Sequence, residues 1–295
     1  MHALLAAFWS AVYIAMAKWV LAEIDPISLL ALNLPIAAVV LMFWLGTPSS
    51  RRRLAGLKGP GWKWTAGLSV LFFFTLLGTF TAIDLMDPTV VSFISRFETL
   101  VAVFLGVVFF RERFTKFEGA GSALVVIGVI AIRYSGGISV ERGFWLILLA
   151  SAGFGVAEVL AKKAVSIVDP LAFAGGRNLL LATAFLAVAV LRPSGLDVPR
   201  DPLVWLGITA TAISGPVLGR IHFLKALQMI HISKTVLVNQ SQPIWVALVA
   251  FGIMRQIPSQ REWLGGLLVL AGCAILIAGR QRHRVKEVLA PGRFS

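Results

Sequence analysis

The sequence predicts an all-α integral membrane protein of ten transmembrane helices, arranged as two inverted five-helix repeats. Composition, hydropathy and an internal repeat predict it. Of 295 residues, 58% are hydrophobic and 14% charged; a water-soluble domain carries about 25% charged residues, so the charge here is too sparse to cover a soluble surface. Apolar stretches of bilayer length, about 20 residues, recur along the whole chain. At an offset of 144 residues the chain realigns with itself without a gap: Lys18 meets Lys162, Asp25-Pro26 meets Asp169-Pro170, Arg111 meets Arg255, Glu118 meets Glu262, Gly121 meets Gly265 and Gly128 meets Gly272. Self-similarity on one fixed offset is a fold-level signal. Five spans is an odd number, so the second copy must enter the membrane upside down.

The spans read as 3–22, 27–45, 63–85, 88–110, 117–133, 143–161, 171–191, 203–228, 234–254 and 263–279. Span 1 lacks a basic n-region and a cleavage site and reads as a permanent helix; Lys18, beside Trp19, can snorkel at its end. Span 2 is interrupted by Pro35. Span 3 carries Trp62 and Trp64 at one end, as an aromatic belt does. Span 4 holds two charges in mid-membrane, Arg96 and Glu98; at 100° per residue they point about 200° apart on a straight helix and cannot pair. Glu98 therefore needs a cation from another helix, Arg177 or Arg220. Spans 5 and 10 carry glycines seven apart, Gly121/Gly128 and Gly265/Gly272, on one face for close packing.

In span 6, Glu158 lies four residues before Lys162 and can pair with it along the helix. Gly175-Gly176 interrupts span 7 beside Arg177 and Asn178. Span 8 has Gly215-Pro216 and Gly219 ahead of Arg220, then His222 and Lys225. Span 9 has Asn239, Gln240, Ser241 and Gln242 ahead of Pro243. A proline frees a carbonyl one turn back, which at depth must be answered by protein, water or ligand. The single Cys273, in span 10, permits neither an intrachain disulfide nor a cysteine metal site. His222 has no second histidine or carboxylate at ligand spacing and reads as a hydrogen-bonding group, so no metal is expected.

The net charge of +13 is a topology signal and not a nucleic-acid footprint. With the N-terminus inside, the cytoplasmic loops and tail hold 16 Lys and Arg and the outer loops six, as the positive-inside rule asks. Both termini are expected in the cytoplasm of a bacterium, with the chain multi-pass in the inner (plasma) membrane. The units expected are 1–140, the first repeat; 141–280, the second; and 281–295, a basic cytoplasmic tail.

The stretches "FWSAVYIAMAK", "FFRERFTKFEGAGSALVVIGVIAI", "LKALQMIHISKTVLVNQSQPIWVALVAFGI" and "REWLGGLLVLAGCAILIAG" resemble the drug/metabolite transporter superfamily, in its ten-helix EamA-type branch. Glu112 matches the glutamate this family places after its fourth helix, Pro243 its mid-helix proline in the ninth, and Arg177 a frequent arginine in the seventh. Gln256 stands where a second glutamate is expected, Asn33 opposite Arg177, and Thr99 opposite Pro243. The resemblance implies a central cavity lined by the first four helices of each repeat, with spans 5 and 10 as peripheral supports.

Inverted repeats of this kind recur in secondary transporters, with the substrate site near the midplane between the copies. The expected function is export of a small polar metabolite, an amino acid or another carboxylate-bearing solute, by alternating access. The candidate binding residues are Trp9, Tyr13, Phe80, Arg96, Thr99, Arg177, Arg220, His222, Asn239, Gln240, Gln242 and Trp245, with Phe72 and Phe93 as further apolar wall. Glu98 is the proton-coupling candidate. No catalytic residue and no cofactor is expected; the partners are a small-molecule substrate and the lipid bilayer, not nucleic acid, and the chain is a monomer or a weak homodimer. Two rival readings are a membrane-embedded enzyme, which would need a nucleophile-base pair converging on one site, and a lipid flippase or transport subunit without solute activity of its own.

Overall fold

The computed structural model describes residues 1–45, 59–110, 115–134, 138–164, 166–229 and 232–289. Glu112, Arg111, Arg113 and residues 46–58 lie outside them, as does the end of the basic tail. Every regular element among the described residues is a helix. Spans 1, 2 and 3 are His2–Val20, Pro26–Leu45 and Pro60–Leu85; spans 5, 6 and 7 are Lys116–Arg133, Ile138–Ala164 and Pro170–Leu191; span 10 is Gln260–Leu289. Span 4 is two helices, Pro88–Ser95 and Phe97–Phe110. Span 8 is Pro202–Ala212, a π-helical turn Ile213–Gly219, and Arg220–Met229. Span 9 is Ile232–Asn239 and Gln242–Met254. Eight stretches have the length and mean hydropathy, 1.4 to 1.9, of a membrane crossing; Pro26–Leu41 is apolar but shorter.

The helix starts repeat as the sequence does. Asp25 Oδ1 accepts from the backbone N–H of Ile27 and Ser28, and Asp169 Oδ1 from that of Ala172. Spans 5 and 10 open on the same reciprocal cap: Thr115 with Glu118, and Ser259 with Glu262, each Glu accepting from the cap N–H at 2.7 Å. Span 10 continues ten residues past its apolar stretch, so that 281–289, expected as tail, is helical. Charged straight-chain residues sustain a helix there, and the breakers Pro291-Gly292 come only afterwards.

The packing is symmetric under exchange of the repeats. Span 3 packs on span 6 and span 8 on span 1; span 4 packs on span 6 and span 9 on span 1; spans 2 and 7, 4 and 9, and 5 and 10 pack on their own counterparts. The glycine seam proves the inversion. A Cβ on Gly121 would meet the Gly272 carbonyl at 2.7 Å, and one on Gly128 would meet the Gly265 carbonyl at 2.5 Å. Each glycine thus opposes the counterpart of the other, the antiparallel match a two-fold axis in the membrane plane requires. Backbone-to-backbone approach of this kind substitutes for hydrophobic drive between helices in lipid. Replacing Gly128 with Leu should lower the thermal midpoint in detergent sharply, by an overpacking cost of about 1–3 kcal/mol or more. Gly67→Ala, where a Cβ would meet nothing within 4 Å, should leave the midpoint unchanged or raised.

At the end of the bundle away from the termini, Arg192 clamps Asp25 with both terminal nitrogens, Nη1 to Oδ1 at 2.7 Å and Nη2 to Oδ2, and also reaches Ser28 Oγ at 2.8 Å. This ties the cap of span 2 to the exit of span 7. Partial burial pushes the Asp25 carboxyl up, but hydrogen bonds from Arg192 and Ser28 outweigh it and hold the group at about 2. A depressed carboxylate stabilises the fold above its unfolded value near 4 and ceases to as pH falls through its folded one. Asp25→Asn should therefore cost about 1 kcal/mol or less, since the pair is partly exposed and screened. The gap in thermal midpoint between wild type and variant should close between about pH 4 and pH 2.

Two expected interruptions do not occur. Span 2 runs through Pro35 and span 7 through Gly175-Gly176 as continuous helices. Leu34, Ala37 and Ala38 around the proline are buried, so packing holds the helix across one missing hydrogen bond. Span 4, by contrast, breaks at Arg96 with no proline or glycine present.

Candidate substrate site

The breaks in spans 4 and 9 fall at equivalent positions, Arg96 and Gln240-Ser241, 144 residues apart. In span 9 the cause is Pro243, which lacks an N–H; Gln240 and Ser241 close short turns onto Leu237 and Val238, and Ser241 Oγ donates to the Val238 carbonyl at 2.7 Å. In span 4 the hydroxyls of Ser92 and Ser95 donate to carbonyls three residues back, at 2.7 and 2.8 Å, and the Arg96 carbonyl accepts from Thr99 N–H and Cys273 Sγ. Such back-bonding offers the backbone alternatives to the helical ladder.

Across the axis, the two breaks hold each other. Arg96 Nη2 donates to Gln242 Oε1 at 2.7 Å, and Gln240 Nε2 donates to Thr99 Oγ1 at 3.1 Å. The break also turns Arg96 back toward its own neighbour: Nη1 lies 3.7 Å from Glu98 Oε1. The expectation that these two cannot pair, and that Glu98 takes Arg177 or Arg220, is corrected. It assumed a straight helix, and the turn at Arg96 removes the 200° separation.

Glu158 has Glu98, Arg96 and Arg220 as electrostatic neighbours; the side chain of Lys162, its expected partner, lies outside what the structure describes. Gly155, whose missing side chain lets span 6 sit on the Glu98 carbonyl, 2.7 Å from where a Cβ would be, brings spans 4 and 6 together there. Glu158 follows three residues later on that face.

Arg177 stacks over the Phe72 ring at 4.5 Å and donates to Asn178 Oδ1 at 3.3 Å; its electrostatic neighbours are Arg220 and Tyr13. Tyr13 fits over Gly215 in the π-turn, where a Cβ would fall 2.4 Å from the ring, and is backed edge-on by the buried Phe80 at 5.4 Å. The widened turn around Pro216 is what brings span 1 this close. Phe8 joins Trp9 and Trp245 edge-to-face, at 5.4 and 5.7 Å. Phe93 belongs to another place: it packs on Gly266 and Trp263 of span 10. Asn239 ends the first helix of span 9. His222 does have a histidine partner, since the chain's second residue reaches it: His2 Nδ1 lies 3.0 Å from His222 Nδ1, with the rings stacked. No group of three or more His, Cys, Asp and Glu with metal-binding geometry occurs among the described residues.

The core therefore gathers three arginines and two glutamates, from spans 4, 6, 7 and 8. The Nε atoms of Arg96, Arg177 and Arg220 and the Oε1 of Gln240 are buried with no hydrogen-bond partner. Arg96 has Glu98, and Arg220 has Glu158 in its field. No carboxylate among the described residues lies within ion-pair distance of Arg177. Such a site has one cation too many and donors to spare, which suits an anionic group. Under the repeat the charges meet neutral residues: Glu158 corresponds to Ile14, Arg177 to Asn33, Arg220 to Leu76, Arg96 to Gln240 and Glu98 to Gln242. The fold is symmetric and the site is not.

Residues 1–134 and 141–278 each match the model of the EamA-like transporter family. No curated protein matches the chain. Twenty-eight chains of solved structures match; one, described as "Crystal structure of protein", aligns over 96% of this chain and 98% of its own, with a TM-score of 0.68 at 18% identity, a likeness of fold.

Proposed function

Because the chain belongs to the EamA-like transporter family, and is thus a multi-pass membrane transporter of the drug/metabolite type, we propose that it exports a small carboxylate-bearing metabolite, an amino acid foremost, by alternating access. The observation that carries the reading is Arg177, a half-buried arginine stacked on Phe72, with a buried, unpartnered Nε and no carboxylate among the described residues at ion-pair distance. A buried charge is costly unless paired, and a substrate carboxylate supplies the pair. The inverted packing of the repeats supports alternating access, which exchanges two equivalent arrangements about one central site. The cavity lies between spans 1 to 4 and 6 to 9, with spans 5 and 10 outside it. Residues 1–140 and 141–280 act as the two moving units, and both termini face the cytoplasm of the bacterial inner membrane.

A thermal-shift screen of amino acids and simple carboxylates on purified protein tests the reading, since a ligand raises the midpoint of the state it binds. Carboxylates should shift it and the matching amides should not. Glu98 is the proposed proton-coupling group: it is a core carboxylate whose ion pair with Arg96, at 3.7 Å, is loose. An inward proton gradient across liposomes should drive uphill substrate movement with wild type. Glu98→Gln should retain downhill exchange and lose the response to the gradient.

A further inference from the structure

The junction of spans 3 and 6 and that of spans 8 and 1 are counterparts under the repeat, and they are finished differently. At the end away from the termini, Trp19 and Val20 of span 1 fill the notch at Gly207 of span 8, where a Cβ would lie 2.6 and 2.7 Å from their side chains. The counterpart of Trp19 is Lys163 and that of Gly207 is Lys63. At the end that carries the termini, Lys163 therefore stands where the sealing tryptophan would, its Nζ 5.5 Å from the centre of the Trp64 ring. The junction stays open there, as a groove of about 470 Å³ lined by Lys63, Trp64, Gly67, Leu68, Leu71 and Leu160.

Beyond the lysines the groove is apolar. Trp64, Gly67, Leu68 and Leu71 share one face of span 3. Gly67 and Leu160 are exposed, and a Cβ on Gly67 would meet nothing within 4 Å. Lys63 and Lys163 are exposed too, and neither lies in an ion pair among the described residues. Two uncommitted cations at the mouth of an apolar slot suit an amphiphile with an anionic head. Trp62 and Trp64 set this end at headgroup level, and basic pockets between spans take anionic lipid headgroups. We infer that the groove between spans 3 and 6 is a specific site for an anionic phospholipid, its phosphate on Lys63 and Lys163 and one acyl chain lying across Gly67. The site is independent of the substrate reading.

The test is native mass spectrometry of the full-length protein, stripped of lipid in neutral detergent and titrated with dioleoyl phosphatidylglycerol or dioleoyl phosphatidylcholine. The two share their acyl chains and differ in headgroup charge. One phosphatidylglycerol per chain should bind at least tenfold tighter than phosphatidylcholine. Lys63→Gln/Lys163→Gln should remove that preference. Lys116→Gln/Lys225→Gln, which takes the same charge from exposed positions at the same end, should keep it. Gly67→Leu fills the slot with both lysines intact and should weaken phosphatidylglycerol tenfold or more, at an unchanged thermal midpoint without lipid. Glycerophosphoglycerol, the same phosphate without acyl chains, should not compete. The inference is overturned if wild type binds the two lipids alike, if the two double variants lose the preference equally, or if Gly67→Leu binds phosphatidylglycerol as wild type does. Competition by glycerophosphoglycerol would overturn it as well, since the site would then be one for phosphate and not for lipid.

Discussion

Arg177→Gln should weaken carboxylate binding severely while leaving the empty protein at least as stable as wild type. Truncating one partner of a buried charge pair costs about 2–5 kcal/mol, so affinity should fall roughly 30-fold or more. Stability should move the other way. Among the described residues Arg177 bonds to Asn178 and stacks on the Phe72 ring, so neutralising it removes a half-buried charge without orphaning a carboxylate. A residue that merely held spans 7 and 3 together would show the opposite pattern, a lowered midpoint with binding retained in the surviving fraction. Titration of the best ligand from the screen, alongside thermal denaturation without ligand, separates the two.

Arg96→Gln should have the largest effect on stability. Arg96 is 5% exposed, donates to Gln242 at 2.7 Å and is the cation beside Glu98. Removing it leaves a partly buried carboxylate, 19% exposed, uncompensated, which costs up to about 3–5 kcal/mol. The same substitution opens the link between the breaks of spans 4 and 9, so transport should fail even in folded protein. Arg96→Gln/Glu98→Gln should recover much of the lost midpoint, because no charge is then stranded. A double variant no more stable than Arg96→Gln alone would show that the Gln242 link, and not the charge pair, carries the energy.

How much of this was legible in the sequence depended on range. Helix ends marked by Asp-Pro and the glycines seven apart were local or periodic signals, and they placed the spans and a close-packing face on spans 5 and 10. The offset of 144 residues placed Arg96 and Glu98 opposite Gln240 and Gln242, and the structure joins Arg96 to Gln242. What failed was reasoning that assumed straight helices. The break at Arg96 comes from serine hydroxyls and an axial neighbour, Cys273, 177 residues away, and no breaker residue announces it. Glu158 was read beside Lys162 because i and i+4 neighbours are the only partners a single helix offers; the approach of Gly155 to the Glu98 carbonyl joins two helices and no periodicity announces it. The contact of His2 with His222 was beyond reach for the same reason, since it joins adjacent spans whose residues are 220 apart in sequence.

The central claim is that a carboxylate crosses the membrane through the core that Arg177 occupies. The direct measurement is exchange of the radiolabelled carboxylate that binds best, in liposomes containing purified protein and preloaded with the same compound unlabelled. Wild-type vesicles should accumulate label well above protein-free vesicles, and Arg177→Gln vesicles should not. Accumulation equal to wild type in the Arg177→Gln vesicles, or none with wild type despite tight binding, would contradict it.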